Sequence, residues 1–345
     1  MNVDPGMLAP MTDSLRVWLW VPAVGFAIVY PFALDAFHAA YIIHGWSVAA
    51  LFYITAAYCV PGFALWAAWR LGGMSHPSAR ALMARRIALF VVAAPPAFTL
   101  LGVILYLMKI QNADIPVWIA MWAVIGVLLA LAMLVTDRAA PAPLRSGAPT
   151  RIAVLRHLHG WSAAAILITF LAAHLTNHLL ALVGVDTHVV VMKMLRHVYR
   201  NRWIEPSLIV LLFFQVLSGL VLWRPRTSDA ADFLTTLQTG SGAYLAVYLA
   251  SHVNSVFVLG RHFGIETDWK WATGAPTGVL ADAWNIRLLP HYSLAVFLVI
   301  AHLSCGLRVV MQAHQVAPVR RDTITWALIG VGVVVAIAIT AALLG

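Results

Sequence analysis

The sequence predicts an all-α fold, a polytopic transmembrane helical bundle, and three observations predict it. Hydrophobic residues occupy 62% of the 345 positions and charged residues only 10%, whereas a soluble domain is about half apolar and a quarter charged. The mean hydropathy is +0.87. The apolar residues also fall into nine runs, each close to the roughly 20 residues that a helix needs to cross about 30 Å of hydrocarbon.

In chain order the runs lie near 17–36, 47–69, 87–108 and 116–136, then 153–183, 206–223, 241–261, 290–312 and 323–344. The third contains Pro95-Pro96, which is expected to kink it. The longest connections are Gly184–Glu205 and His262–Leu289, and no stretch reads as a separate soluble domain. The formal net charge of +9 sits in short loops, where it orients the chain and meets lipid headgroups rather than nucleic acid. With the N-terminus inside, 14 Lys and Arg residues fall on the inner side, Arg138 and Arg145 among them, and 8 on the outer side. The positive-inside rule therefore predicts N-in, C-out. The start of the chain lacks the pattern of a removable signal peptide. Cys59 and Cys305 lie inside apolar runs and form no disulfide framework.

One outer segment departs from the charge rule. THVVVMKMLRHVYRNRWIEP carries Lys193, Arg196, Arg200 and Arg202 at roughly helical spacing. It reads as an amphipathic helix lying on the membrane surface. In a second reading, Arg196, His197 or Arg200 holds carboxylates at the mouth of a site, since the planar guanidinium bonds a carboxylate bidentately.

An internal repeat organises the chain. HGWS occurs at His44–Ser47 and again at His159–Ser162, and LLGVILYL near Gly102 answers LSGLVLWR near Gly219. Two helical repeats are expected, 1–150 (runs one to four) and 151–345 (runs five to nine). Where His174 and His178 stand in the second copy, the first has Cys59 and Phe63. The first copy thus reads as scaffold and the second as the half equipped for chemistry.

That chemistry centres on histidine. The fifth run contains His174 and His178 with Asn177 between them, the seventh His252 and the eighth His302. Ionisable side chains at membrane depth are costly and are functional candidates by default. A b-type haem needs two axial ligands on facing helices at similar depth. At about 1.5 Å per residue, His252 and His302 fall near mid-membrane, with His174 about 5 Å further out and His178 near the outer surface. His174–His252 and His252–His302 are both admissible pairs, and His178 would need a partner near the outer edge such as His262. His44, His157, His159, His291 and His314 lie at run ends, where hydration asks nothing special of them. Trp269 and Trp271, in the last long outer loop, read as interfacial anchors. Without a P-loop, G-x-G-x-x-G, C-x-x-C or H-E-x-x-H motif, nucleotide, flavin, iron–sulfur and zinc-protease chemistry find no support in this chain.

AHLSCGLRVVM, with His302, Gly306, Leu307 and Arg308, resembles the H-x-x-x-G-[IL]-R segment of the membrane-anchor cytochrome b subunits of succinate dehydrogenase and fumarate reductase. LHGWSAAAIL is similar to that family's early helix H-R-x-S-G, with Gly160-Trp161 in place of Arg-x. The resemblance covers roughly residues 155–312. It implies haem b ligation by His302 together with His174 or His178 and His252, while Gln215 stands where a second haem would want a ligand. It also implies a quinone as redox partner, a flavoprotein or iron–sulfur subunit supplying the catalytic centre, and a bacterial cytoplasmic membrane as location. Arg308 joins Arg196 and Arg200 as a residue that would tune such a cofactor. The reading from a different class is a haem-free channel, transporter or lipid-handling scaffold, in which the histidines and Asn177 line a polar path.

Overall fold

A computed structural model describes residues 13–74, 77–136 and 150–345; Arg138 and Arg145 lie outside the described residues. The chain is a multi-pass membrane protein whose long elements are all helices. The main ones are α1 Asp13–His44, α2 Val48–Gly72, α3 Ala79–Val91, α4 Ala94–Leu107, α5 Asp114–Val135, α6 Thr150–Leu180, α7 Val185–Tyr199, α8 Ile204–Ser228, α9 Phe233–His262, α10 Trp269–Ala272, α11 Asn285–Ala313 and α12 Pro318–Leu344. Among the described residues, eight are long and apolar enough to cross a bilayer, or nine if α3 and α4, bent by 63° at their junction, form one span. The bend comes where Pro95 and Pro96 open α4. Proline lacks the amide hydrogen that would continue the ladder, and suits the first turn of a new helix.

Local signals set the other boundaries. Ser47 of the first HGWS accepts from the Ala50 amide and caps α2, and Ser78 does the same for α3 through Ala81. Gly45 turns the chain between α1 and α2 at φ 61°, a conformation that favours glycine. The second HGWS, in contrast, is helical throughout and lies inside α6.

The chain divides into two compact units. The first comprises Met1–Ser146 and Trp223–Ser251, and the second Gly147–Leu222 and His252–Gly345. The break after residue 146 falls close to the expected repeat boundary, while Trp223–Ser251 groups with the first unit.

In the first unit α1 packs on α2, and α2 on α3. Ala23, Ala27, Ala50, Ala57 and Ala64 are fully buried, as expected where bilayer helices associate through close backbone approach. An aromatic core completes it. Phe98 meets Tyr30 and Trp118 edge-on at 6.0 and 5.3 Å, and Trp118 meets Trp122 at 5.6 Å. The Trp118 indole N–H donates to the Ala27 carbonyl at 2.6 Å, so a buried polar atom is satisfied where water is absent.

In the second unit α11 and α12 form the closest pair. A Cβ on Gly332 would stand 3.0 Å from Ile300, so glycine is what lets these two helices meet. The same pair is tied at one end by Arg308, whose Nε donates to Asp322 at 2.8 Å. Along α8 only Ser218 and Thr227 are buried, while Val210, Phe213, Leu217, Leu220 and Val221 are exposed, an apolar surface suited to lipid.

Candidate functional site

The second unit gathers its histidines through two helices with the same irregularity. In α6, a π turn at Leu167–Leu171 closes with the Ala172 amide donating to the Leu167 carbonyl. In α9, a π turn occupies Ser255–His262. The first precedes His174 by three residues and the second follows His252 by three. Such turns admit an extra residue, re-aim the side chains beyond them and recur at functional sites. Spacing then puts His174, Asn177 and His178 on one face of α6.

The imidazoles meet in series. His174 and His178 are edge-on at 4.7 Å, and His174 and His252 lie 6.1 Å apart with planes at 66°. His252 reaches Tyr292 of α11 at 6.3 Å, beside His291 at 5.0 Å. On the other side His178 stacks on His188 of α7 at 5.5 Å, and His188 meets the Trp269 ring at 4.4 Å. Phe170 closes the flank, stacked on His174 at 5.0 Å.

His188 is nearly inaccessible, and its Nδ1 lies 2.9 Å from the Asn177 carbonyl. A carbonyl only accepts, so Nδ1 carries the proton and Nε2 presents a lone pair. Asn177 itself is 5% exposed, and its Oδ1 has no hydrogen-bond partner. The Nδ2 of Asn254, two residues beyond His252, is buried and unpartnered as well. The unmet amide oxygen of Asn177, on the face that carries His174 and His178, marks a place for a polar group. Among the described residues, no three His, Cys, Asp or Glu side chains converge on a single metal position, so ligation by a pair is the arrangement to weigh.

Of the expected site residues, His174, His178 and His252 come together. His302 stands on α11 ten residues beyond Tyr292, about 15 Å along the helix axis, at another level. Arg308 lies further along the same helix, engaged with Asp322. Arg196 donates to the Thr267 carbonyl at 2.5 Å, beside the Asp268 that caps α10. Burial, and then the neighbouring Arg200, lower the Arg196 pKa from the ordinary arginine value against the pull of Glu266 and Asp268. It stays a cation nonetheless. Arg200 closes α7 and is exposed. Burial raises the Tyr199 phenol, whose ring lies 5.0 Å from Phe170. His262 packs on Phe263, and Arg261 pairs with Glu205.

The structure also adds residues. His188 and His291 are buried, although one belongs by sequence to a basic outer segment and the other to a run end. Trp269 is 6% exposed and packs on His188 and His178, which replaces its role as interfacial anchor. His159 is likewise more than a hydrated end. Its Nδ1–H donates to Ser218 Oγ at 2.8 Å, which in turn donates to the Phe214 carbonyl. Ser162 donates to Gln215 at 2.6 Å. The second HGWS is thus a polar seam between α6 and α8, and Gln215 is engaged there.

No protein-family model, curated protein or solved structure matches the chain.

Proposed function

We propose that the chain is a b-type membrane cytochrome that holds one haem between His174 and His252 and passes electrons between a quinone pool and a partner subunit. The observation that supports this best is the 6.1 Å separation of those two rings, carried by different helices. With a metal–nitrogen bond of about 2 Å, two imidazoles sharing one ion have ring centres roughly 6 Å apart, so the spacing of His174 and His252 suits a pair of ligands to one iron. Haem supplies one-electron chemistry when bound. The chain's own part is to aim the two imidazoles through the π turns of α6 and α9, and to exclude water with Phe170 and Tyr292. Arg196 lends a fixed positive charge at the α7–α10 end. The chain's resemblance in sequence to the anchor subunits of succinate dehydrogenase and fumarate reductase supports this reading, and with it we place the chain in a bacterial cytoplasmic membrane with the N-terminus inside. A flavoprotein or iron–sulfur subunit would supply the catalytic centre.

The test is a reduced-minus-oxidised spectrum of the purified protein from haem-replete cells. A b-type α-band is expected, lost in both His174→Ala and His252→Ala and kept in His302→Ala. An unchanged spectrum in the first two variants, or no band in the wild type, overturns the reading. A second reading is favoured by one feature: the imidazoles run on from His252 through His174 and His178 to His188, ending beside the unmet Oδ1 of Asn177. That series suits a haem-free polar path through the bilayer, and it is what a missing α-band would support.

A further inference from the structure

The first unit contains a buried cation. Arg85, midway along α3, is 4% exposed. Its Nη1 donates to the carbonyls of Thr227 and Asp229 at 2.8 and 2.6 Å, while Nε and Nη2 have no partner. The guanidinium lies against Gly72, where a Cβ would come within 3.0 Å; the missing side chain is the cradle. It lines a cleft, open at its mouth, together with Met74, Ser228 and Asp229. That cleft has room for about one water-sized group.

The surroundings are basic. Arg86 donates to the hydroxyls of Thr227 and Ser228 at 3.0 and 3.2 Å. Arg86 and Arg226 repel Arg85, Arg224 repels Arg86, and the Asp229 carboxylate is the opposing charge. The charges acting on Arg85 and Arg86 are therefore mostly positive, and Arg85 bonds Asp229 only through its carbonyl. A desolvated cation with open donors is costly until an anion meets it. The cleft lies where α2 and α8 end and where α3 and α9 begin. Ends of membrane-length helices lie at headgroup depth, and basic pockets there take anionic headgroups.

We propose that this cleft binds a phosphate group, either that of an anionic lipid headgroup or free phosphate. One oxygen seats on Nε and Nη2 of Arg85, and the rest of the group stays at the mouth with Arg86 and Ser228. Arginine's fork suits two oxygens of one phosphate.

Native mass spectrometry of the delipidated full chain in detergent tests this, with phosphatidylglycerol, phosphatidylcholine and inorganic phosphate as probes. Selective retention of phosphatidylglycerol, weakened about tenfold by Arg86→Gln and by Ser228→Ala with Arg86→Gln, supports the site with a lipid as its source. Binding of millimolar phosphate that displaces phosphatidylglycerol, and that is lost in the same variants, supports the site with free phosphate as its source. Arg85→Lys retains the charge but not the fork and should weaken either ligand. If that variant does not fold, the Arg86 and Ser228 variants decide alone. Equal retention of both lipids with no effect of phosphate, or retention unchanged in the variants, means the cleft holds water only and overturns the proposal.

Discussion

His188 does two things at once. Its ring fills the space between His178 and Trp269, and its Nδ1–H satisfies the Asn177 carbonyl. That carbonyl needs an outside donor, because the helix unwinds there and the Ala181 amide turns to His178 instead. His188→Leu keeps the bulk and removes the donor, so the cost is that of a buried unsatisfied carbonyl, about 1–3 kcal/mol. The expected result is a lower thermal midpoint in detergent with the helix content retained, and an unchanged midpoint would remove His188 from this role. Sequence pattern led to His174, His178 and His252 because each interrupts an apolar run. It passed over His188 and His291, since a histidine near a basic loop or a run end reads as hydrated. Only folding buries α7 against the end of α6, so burial of His188 is a property of the assembled unit rather than of its neighbours in the chain.

At the scale of elements, the two π turns are the features on which the cluster depends. Helical periodicity already puts His174, Asn177 and His178 on one face, but that face points wherever the preceding turns leave it. Deleting Leu167 removes the extra residue and lets α6 run on as a regular helix. Everything beyond then rotates by about 100° and moves by about 1.5 Å. His174 should part from His252, and the deletion should abolish the spectral band as fully as His174→Ala does while the protein still inserts. A deletion variant with a normal band would mean that the π turn is neutral. No periodicity rule reveals a π turn, because it is a local strain that the packed unit sustains. The kink at Pro95-Pro96, in contrast, was readable at once, since proline imposes it covalently. The two HGWS segments show the other limit: one ends in a helix cap and the other is helical throughout, its His159 and Ser162 in a polar seam. Four identical residues take two conformations because their neighbours differ.

At the scale of the whole molecule, the expected orientation rests on charge: with the N-terminus inside, 14 of the 22 Lys and Arg residues would face the interior. With Cys59 and Cys305 replaced, Lys270→Cys should react with an impermeant maleimide in intact cells, and Arg320→Cys only after permeabilisation. The reverse pattern would invert the topology and place the Arg85 cleft on the outer leaflet.

The membrane class and the helical spans were legible in the sequence alone, because they depend on composition and run length, and residue type alone singled out the histidines as candidates. The tertiary structure decided which histidines are neighbours, as the His174–His252 pair is contributed by helices far apart in the chain. It placed His174 beside His252 and left His302 at another level. It also grouped Trp223–Ser251 with the first unit, and brought Arg85 under the carbonyls of Thr227 and Asp229. Such contacts arise from the packing of one helix on another, which hydropathy along a single chain does not encode.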